Sequence, residues 1–140
     1  MISFTIFGQC WSLKNGRIPI MSKGRVIFIP NDKVKAFDKQ FAIQIPRSCQ
    51  VGIATPVHVE IEIFYPTNLQ DLDEAIVLDL MQKYGVLVND RQVVSKYVTK
   101  RIDPENPRVI VKVEPVRWER SGKQAGLLDD ESKKPAVEAK

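Results

Sequence analysis

Three aspartates carry the residue types from which chemistry could be built. Asp71 and Asp73 stand two residues apart, just after an alternating apolar run, and Asp90 follows a second apolar stretch. Carboxylates gathered by a fold make a hard-oxygen site suited to Mg²⁺, with Mn²⁺ as a substitute, and Mg²⁺ keeps several waters, so one to three carboxylates suffice. An ion held there could polarise a scissile phosphate and lower the pKa of an attacking water. Residues i and i+2 face different ways on a helix. They can converge when the first lies in the preceding loop. The same residues also have plainer uses: Asp-x-Asp at a helix start caps the helix and offsets its dipole, and Asp90 after Asn89 suits a turn.

The other reactive groups read more simply. His58, the sole histidine, shares the polar face of a strand with Glu60 and Glu62. That pattern suits a sheet surface better than a catalytic base. Trp11 and Trp118 could stack on bases but suit core or interface packing better. Cys10 and Cys49 match neither a disulfide framework nor a zinc site and are expected to be buried thiols.

The charge is unevenly placed along the chain. The 140 residues include 21 Lys+Arg and 17 Asp+Glu, a net +4. Residues 1–50 hold 8 basic residues and 2 acidic ones, whereas residues 51–118 hold 8 basic and 10 acidic. A basic stretch that could grip phosphates beside carboxylates that could hold a metal fits a nuclease. An uneven solvated surface gives the same count. No apolar run approaches the ~20 residues of a membrane span, and the first residues lack the basic start of a signal peptide. A cytoplasmic protein without a membrane partner or small-molecule cofactor is expected.

Periodicity supplies the elements that must position these groups. Residues 2–7 alternate as a strand and end at Gly8. Residues 17–20 and 25–29 flank Ser22-Lys23-Gly24 as a hairpin. Asn31 or Asp32 can cap a helix carrying Val34, Phe37, Phe41 and Ile45, which Pro46 stops. Phe37 and Phe41 are expected in the core or a dimer interface. Residues 57–63 alternate cleanly as a strand, and a second helix is expected from about Asp71 to Tyr84, with Gly85 after it. Strands at 92–99 and 108–114 follow. The order β, ββ, α, β, α, β, β fits an α+β domain over residues 1–118, with a small mixed sheet and two main helices. Residues 119–140 are poor in large apolar side chains and are expected to be a disordered tail.

The stretch Asp71-Leu72-Asp73, a helix, then Gly85-Val86-Leu87-Val88-Asn89-Asp90-Arg91-Gln92-Val93 resembles the RusA-like Holliday junction resolvases. Residues 2–8 and the basic segment 14–30 agree with that family's opening strand and hairpin. The resemblance implies a dimeric phage- or prophage-type endonuclease of the bacterial cytoplasm. Such an enzyme would bind four-way DNA junctions and nick two opposing strands symmetrically with Mg²⁺. It implies Asp71, Asp73 and Asp90 as the catalytic metal-binding carboxylates. Lys14, Arg17, Lys23, Arg25, Lys33 and Lys35 would then grip the DNA backbone, contacts that position rather than read sequence.

Two positions depart from the family pattern. Asn89 replaces the first residue of an Asp-Asp pair, and Val77 stands where a lysine is usual one helical turn after the second Asp. The resemblance leaves that charge to Lys14, Lys100 or Arg101, or to the other subunit; Lys83 lies too far along the helix. Val77 also motivates a rival function, a branched-DNA binding protein with weak or lost cleavage. A third is an interaction domain unrelated to nucleic acid.

Overall fold

The computed structural model describes residues 1–12, 17–30 and 32–118. Lys14, Asn31 and the expected tail at 119–140 therefore lie outside the described residues. Among the described residues, six strands and two α-helices form an α+β domain.

Four strands make the main sheet: β1 (Ile2–Phe7), β4 (Val57–Tyr65), β5 (Val93–Ile102) and β6 (Arg108–Pro115), in the order β1-β6-β4-β5. β6 runs antiparallel to both β1 and β4, whereas β5 runs parallel to β4. The sheet is mixed, as expected. A parallel neighbour needs a crossover, and helix α2 (Ala75–Lys83) provides it between β4 and β5. The remaining strands, β2 (Arg17–Ser22) and β3 (Arg25–Pro30), form a separate hairpin. Its loop is only Lys23-Gly24, with φ of 51° and 77°. Positive φ at both central residues is the turn whose twist suits a two-residue hairpin, and glycine supplies the second at no steric cost.

Alternation on β4 decides the core. Val57, Val59, Ile61, Ile63 and Tyr65 are buried on one face together with Phe4 and Ile6 of β1 and Val109, Val111 and Val113 of β6. Helix α1 (Asp32–Gln44) covers that face with Val34, Phe37 and Phe41. Phe41 packs edge-on against Phe4, with ring centroids 5.8 Å apart, and stacks on Tyr84 at 5.9 Å. Phe37 and Phe41 are thus core residues. The outer face of the sheet carries His58, Glu60 and Glu62, matching the expected polar face; His58 Nδ1 pairs with Ser95 Oγ at 2.7 Å.

Helix α2 begins at Ala75, four residues later than the sequence pattern indicates. Residues 71–74 are held outside the helix by hydrogen bonds described below. Its far end follows the expectation. Gly85 adopts φ 85°, Val86 N–H donates to Met81 O at 2.8 Å and Gly85 N–H to Gln82 O at 3.4 Å, the paired bonds of a Schellman stop. The apolar run after it buries Val86 and Leu87, and Leu87 forms one parallel bridge to Ile53.

Candidate active site

The loop carrying Asp71 and Asp73 is fixed from beneath by Tyr65. This tyrosine ends β4 and is 1 % exposed. Its ring belongs to the core, and its hydroxyl reaches the loop backbone. It donates to Asp71 O at 3.2 Å and accepts from Asp73 N–H at 3.3 Å. A buried phenol needs such partners. Burial also pushes the Tyr65 hydroxyl up to about 12, so it stays a neutral donor.

Asp73 is held on both oxygens. Oδ1 accepts from Ala75 N–H at 2.9 Å, and Oδ2 accepts from Ser12 Oγ at 2.7 Å. The first bond satisfies one of the free N–H groups at the start of α2. The N-cap position itself is Glu74, whose side chain makes no cap bond; Asp73, one residue earlier, instead bonds the first helical N–H, and that bond orients its carboxylate. The thiol of Cys10 is buried nearby. Burial first, and then the Asp73 charge, push that thiol well above its usual range. Cys10 is consequently an inert packing group; Cys49 is a buried free thiol, as expected. Asp71 is exposed.

Asp90 opens a short 3₁₀ turn, Asp90–Gln92, and its carboxylate is exposed. Its backbone N–H donates to Gln82 Oε1 of α2 at 3.0 Å. Asn89 caps the turn by accepting from Arg91 N–H at 2.9 Å. Gln92 carries most of the positioning. Its Oε1 accepts from the N–H groups of Val88 and Asn89 at 2.8 and 2.7 Å, and its Nε2 donates to Ile53 O and Thr55 O at 2.6 and 2.8 Å. One side chain thus ties the Asp90 turn to the segment entering β4. The spacing Asn89-x-x-Gln92 is a capping-box signature and could have revealed this role from sequence.

Asp90 also lines a cavity of about 240 Å³ with Leu78, Val93, Val94, Ser95 and Lys96. Lys96 Nζ lies 2.5 Å from Glu74 Oε2, so an ion pair joins the residue after Asp73 to the cavity that Asp90 lines. Sequence reasoning passed over Lys96, Glu74, Ser12 and Gln92. Among the described residues, no three His, Cys, Asp or Glu side chains gather closely enough to hold one metal ion. The structure brings Asp71 and Asp73 onto one pinned loop but does not close them with Asp90 into a single cluster. The donor chemistry nevertheless suits a hard divalent ion: all three groups are carboxylates, and those of Asp71 and Asp90 are exposed.

The basic residues divide similarly. Lys23 and Arg25 are exposed at the tip of the β2–β3 hairpin, and Lys33 and Lys35 are exposed on α1. Lys33 Nζ sits 4.5 Å from the centroid of the Trp11 ring, so this tryptophan packs beneath a cation. Trp118 is 58 % exposed. Backbone alone is described for Arg17. Of the cations considered for the position of Val77, Arg101 pairs with Glu62 at 3.0 Å on the outer sheet face, and Lys100 lies over the Tyr65 ring, 5.9 Å from its centroid. Lys83 pairs with Asp38 at 2.7 Å. Val77 itself is fully buried.

Among the described residues, no helix is long and apolar enough to cross a membrane. No curated protein matches this chain. The family model of the endodeoxyribonuclease RusA matches residues 14–114, a span containing the basic hairpin, both aspartate segments and the parallel β4–α2–β5 unit. The chain therefore belongs to the RusA family of endodeoxyribonucleases, phosphodiester hydrolases of the Holliday junction resolvase type.

Proposed function

We propose that residues 1–118 form a divalent-metal-dependent endonuclease that binds four-way DNA junctions and resolves them by paired symmetric nicks. The observation that carries this reading is the fixed orientation of Asp73. Its carboxylate is held by Ser12 Oγ and Ala75 N–H, and its backbone by the Tyr65 hydroxyl. Preorganised charge costs no reorganisation at the moment of reaction.

Asp71, Asp73 and Asp90 would hold the ion, Mg²⁺ with Mn²⁺ as substitute. When bound, it supplies charge neutralisation at the phosphate and a more acidic water. The protein's own part is placement. Tyr65 sets the height of the Asp71–Asp73 loop, and Gln92 and Gln82 set the Asp90 turn. Lys14, Arg17, Lys23, Arg25, Lys33 and Lys35 would grip the arms of the junction through phosphates. The working unit would be a homodimer in the bacterial cytoplasm, because two-fold symmetry matches two cuts across a junction.

The test is a gel assay with a mobile four-way junction and a linear duplex control, in Mg²⁺, Mn²⁺ and EDTA. Paired nicks on opposing strands are expected in either metal and none in EDTA. Asp71→Asn and Asp90→Asn should abolish nicking while junction binding persists; nicking that survives both changes overturns the assignment. Tight binding without nicking in either metal would establish the binding-protein reading instead. Sedimentation of the protein alone checks the dimer.

A further inference from the structure

We propose that Lys96 is the catalytic cation of this site, the ammonium that meets the phosphate under attack. The proposal rests on the nuclease reading above and adds a residue to it. Lys96 lies on β5 beside Val59 of β4, so it faces the helix-covered side of the sheet, the side that carries Tyr65 and the aspartate loop. β5 is an edge strand. A long side chain on that face can therefore leave the core at the edge and reach the segment just before α2. It does so: Nζ pairs with Glu74 Oε2 at 2.5 Å, the residue directly after Asp73, and Lys96 is among the residues that line the cavity with Asp90.

Among the described residues, the other cations named for this role are engaged elsewhere; Lys14 lies outside the described residues. Arg101 and Lys83 are paired with Glu62 and Asp38. Lys100 shares the face of Lys96 but stands next to Ile63, toward the other end of β5, and lies over the Tyr65 ring. Lys96 keeps 46 % of its side chain exposed despite its partner, whereas Glu74 keeps 20 %. Glu74 is thus the fixed anchor, and the ammonium is the end that DNA can meet. Three rotatable donors on a flexible stem suit a phosphate oxygen.

Hydrolysis forms a bond from water oxygen to phosphorus and breaks the bond to the leaving sugar oxygen; the attacking water gives up a proton to solvent and the leaving oxygen takes one from solvent, so a phosphomonoester and a free hydroxyl result. Negative charge builds on the non-bridging oxygens between these events. An ammonium already held by Glu74, next in the chain to Asp73, stabilises that charge more than the starting diester. Glu74 acts through Lys96 and is a positioning residue.

Two readouts on the full chain decide the matter, junction nicking and the salt dependence of junction binding. Lys96→Ala should slow nicking by roughly 10²–10³-fold, the range for removing one preorganised transition-state donor, and Lys96→Arg should recover part of the loss. Independently, Lys96→Ala should reduce the slope of log affinity against log salt by about 0.9, the value for one neutralised phosphate. An unchanged slope with an unchanged rate overturns the proposal, as does a large loss in Lys100→Ala with none in Lys96→Ala. If the wild-type protein binds junctions but nicks none, the nuclease reading falls, and an unaltered slope in Lys96→Ala then overturns the phosphate contact as well. A wild-type protein that binds no DNA overturns both.

Discussion

The hydroxyl of Tyr65 accepts a hydrogen bond from the backbone N–H of Asp73 while donating to the carbonyl of Asp71. A core residue thereby fixes the loop that carries two of the candidate carboxylates. Tyr65→Phe removes both bonds and leaves the ring packing intact. It should cost about 1–2 kcal/mol, because a loop N–H and a carbonyl lose a buried partner. Chemical denaturation checks the loss. Nicking should fall with little change in junction affinity, since the loop loses position rather than charge.

Val77 gives a second prediction, with the opposite sign from the one its sequence position invites. If the missing family lysine were simply lost at this position, Val77→Lys would restore cutting. Val77 is fully buried, beside Ile76 and Met81 in the core. An ammonium there would be uncompensated, at a cost of about 3–5 kcal/mol. Val77→Lys should therefore lower the melting temperature sharply and leave nicking no faster. Thermal unfolding followed by circular dichroism decides it.

The contrast between Val77 and Lys96 shows what was legible in the sequence. Strand alternation and helical spacing placed β1, the hairpin, α1, β4 and β6 to within a few residues, because one buried face imposes a period. They also placed Gly85 at the helix stop. The start of α2 was misplaced because the apolar pattern does not record that Tyr65, eight residues before Asp73, captures the loop backbone. The Lys96–Glu74 pair was hidden for a similar reason. It joins positions 22 residues apart, and it depends on β5 lying parallel to β4 at the sheet edge. Local sequence does not state that register.

Acid stability should respond to the contact between the two helices. Burial works against ionising Asp38 of α1, but hydrogen bonds from Lys83 and Tyr84 outweigh it and hold the carboxyl below its ordinary value. A depressed folded pKa stabilises the protein above the unfolded value, about 3.9, and that contribution is lost as the pH falls through the folded pKa. Lys83 has the opposite sign. Its hydrogen bond to Asp38 raises it above its ordinary value, so its contribution is lost only as the pH rises past the ordinary lysine range. Asp38→Asn should thus flatten the fall in stability below about pH 4 and lower the plateau near neutrality. Denaturation midpoints across pH 2–8 would show an unchanged profile if the pair were inert.

Gln92 supports a last prediction, because its side-chain amide forms four hydrogen bonds to backbone groups. Gln92→Ala leaves the N–H groups of Val88 and Asn89 and the carbonyls of Ile53 and Thr55 to find water. Each net bond contributes about 0.5–1.5 kcal/mol, and part of the loss is recovered by hydration because the turn is near the surface. The expected destabilisation is about 2–3 kcal/mol, compatible with a folded protein. The more specific consequence is local. Amide exchange at Val88, Asn89 and Asp90 should accelerate while that of Ile61 and Val111, in the centre of the sheet, follows only the global change. Nicking should fall with the turn, because the Gln92 amide is spent on backbone groups that hold the turn. Gln92→Glu separates position from charge: its carboxylate can still accept from Val88 and Asn89 but cannot donate to Ile53 and Thr55, so it should fall between Ala and the native side chain in both exchange and nicking. Uniform exchange across the molecule in Gln92→Ala would mean that the turn is held by Gln82 and the core instead.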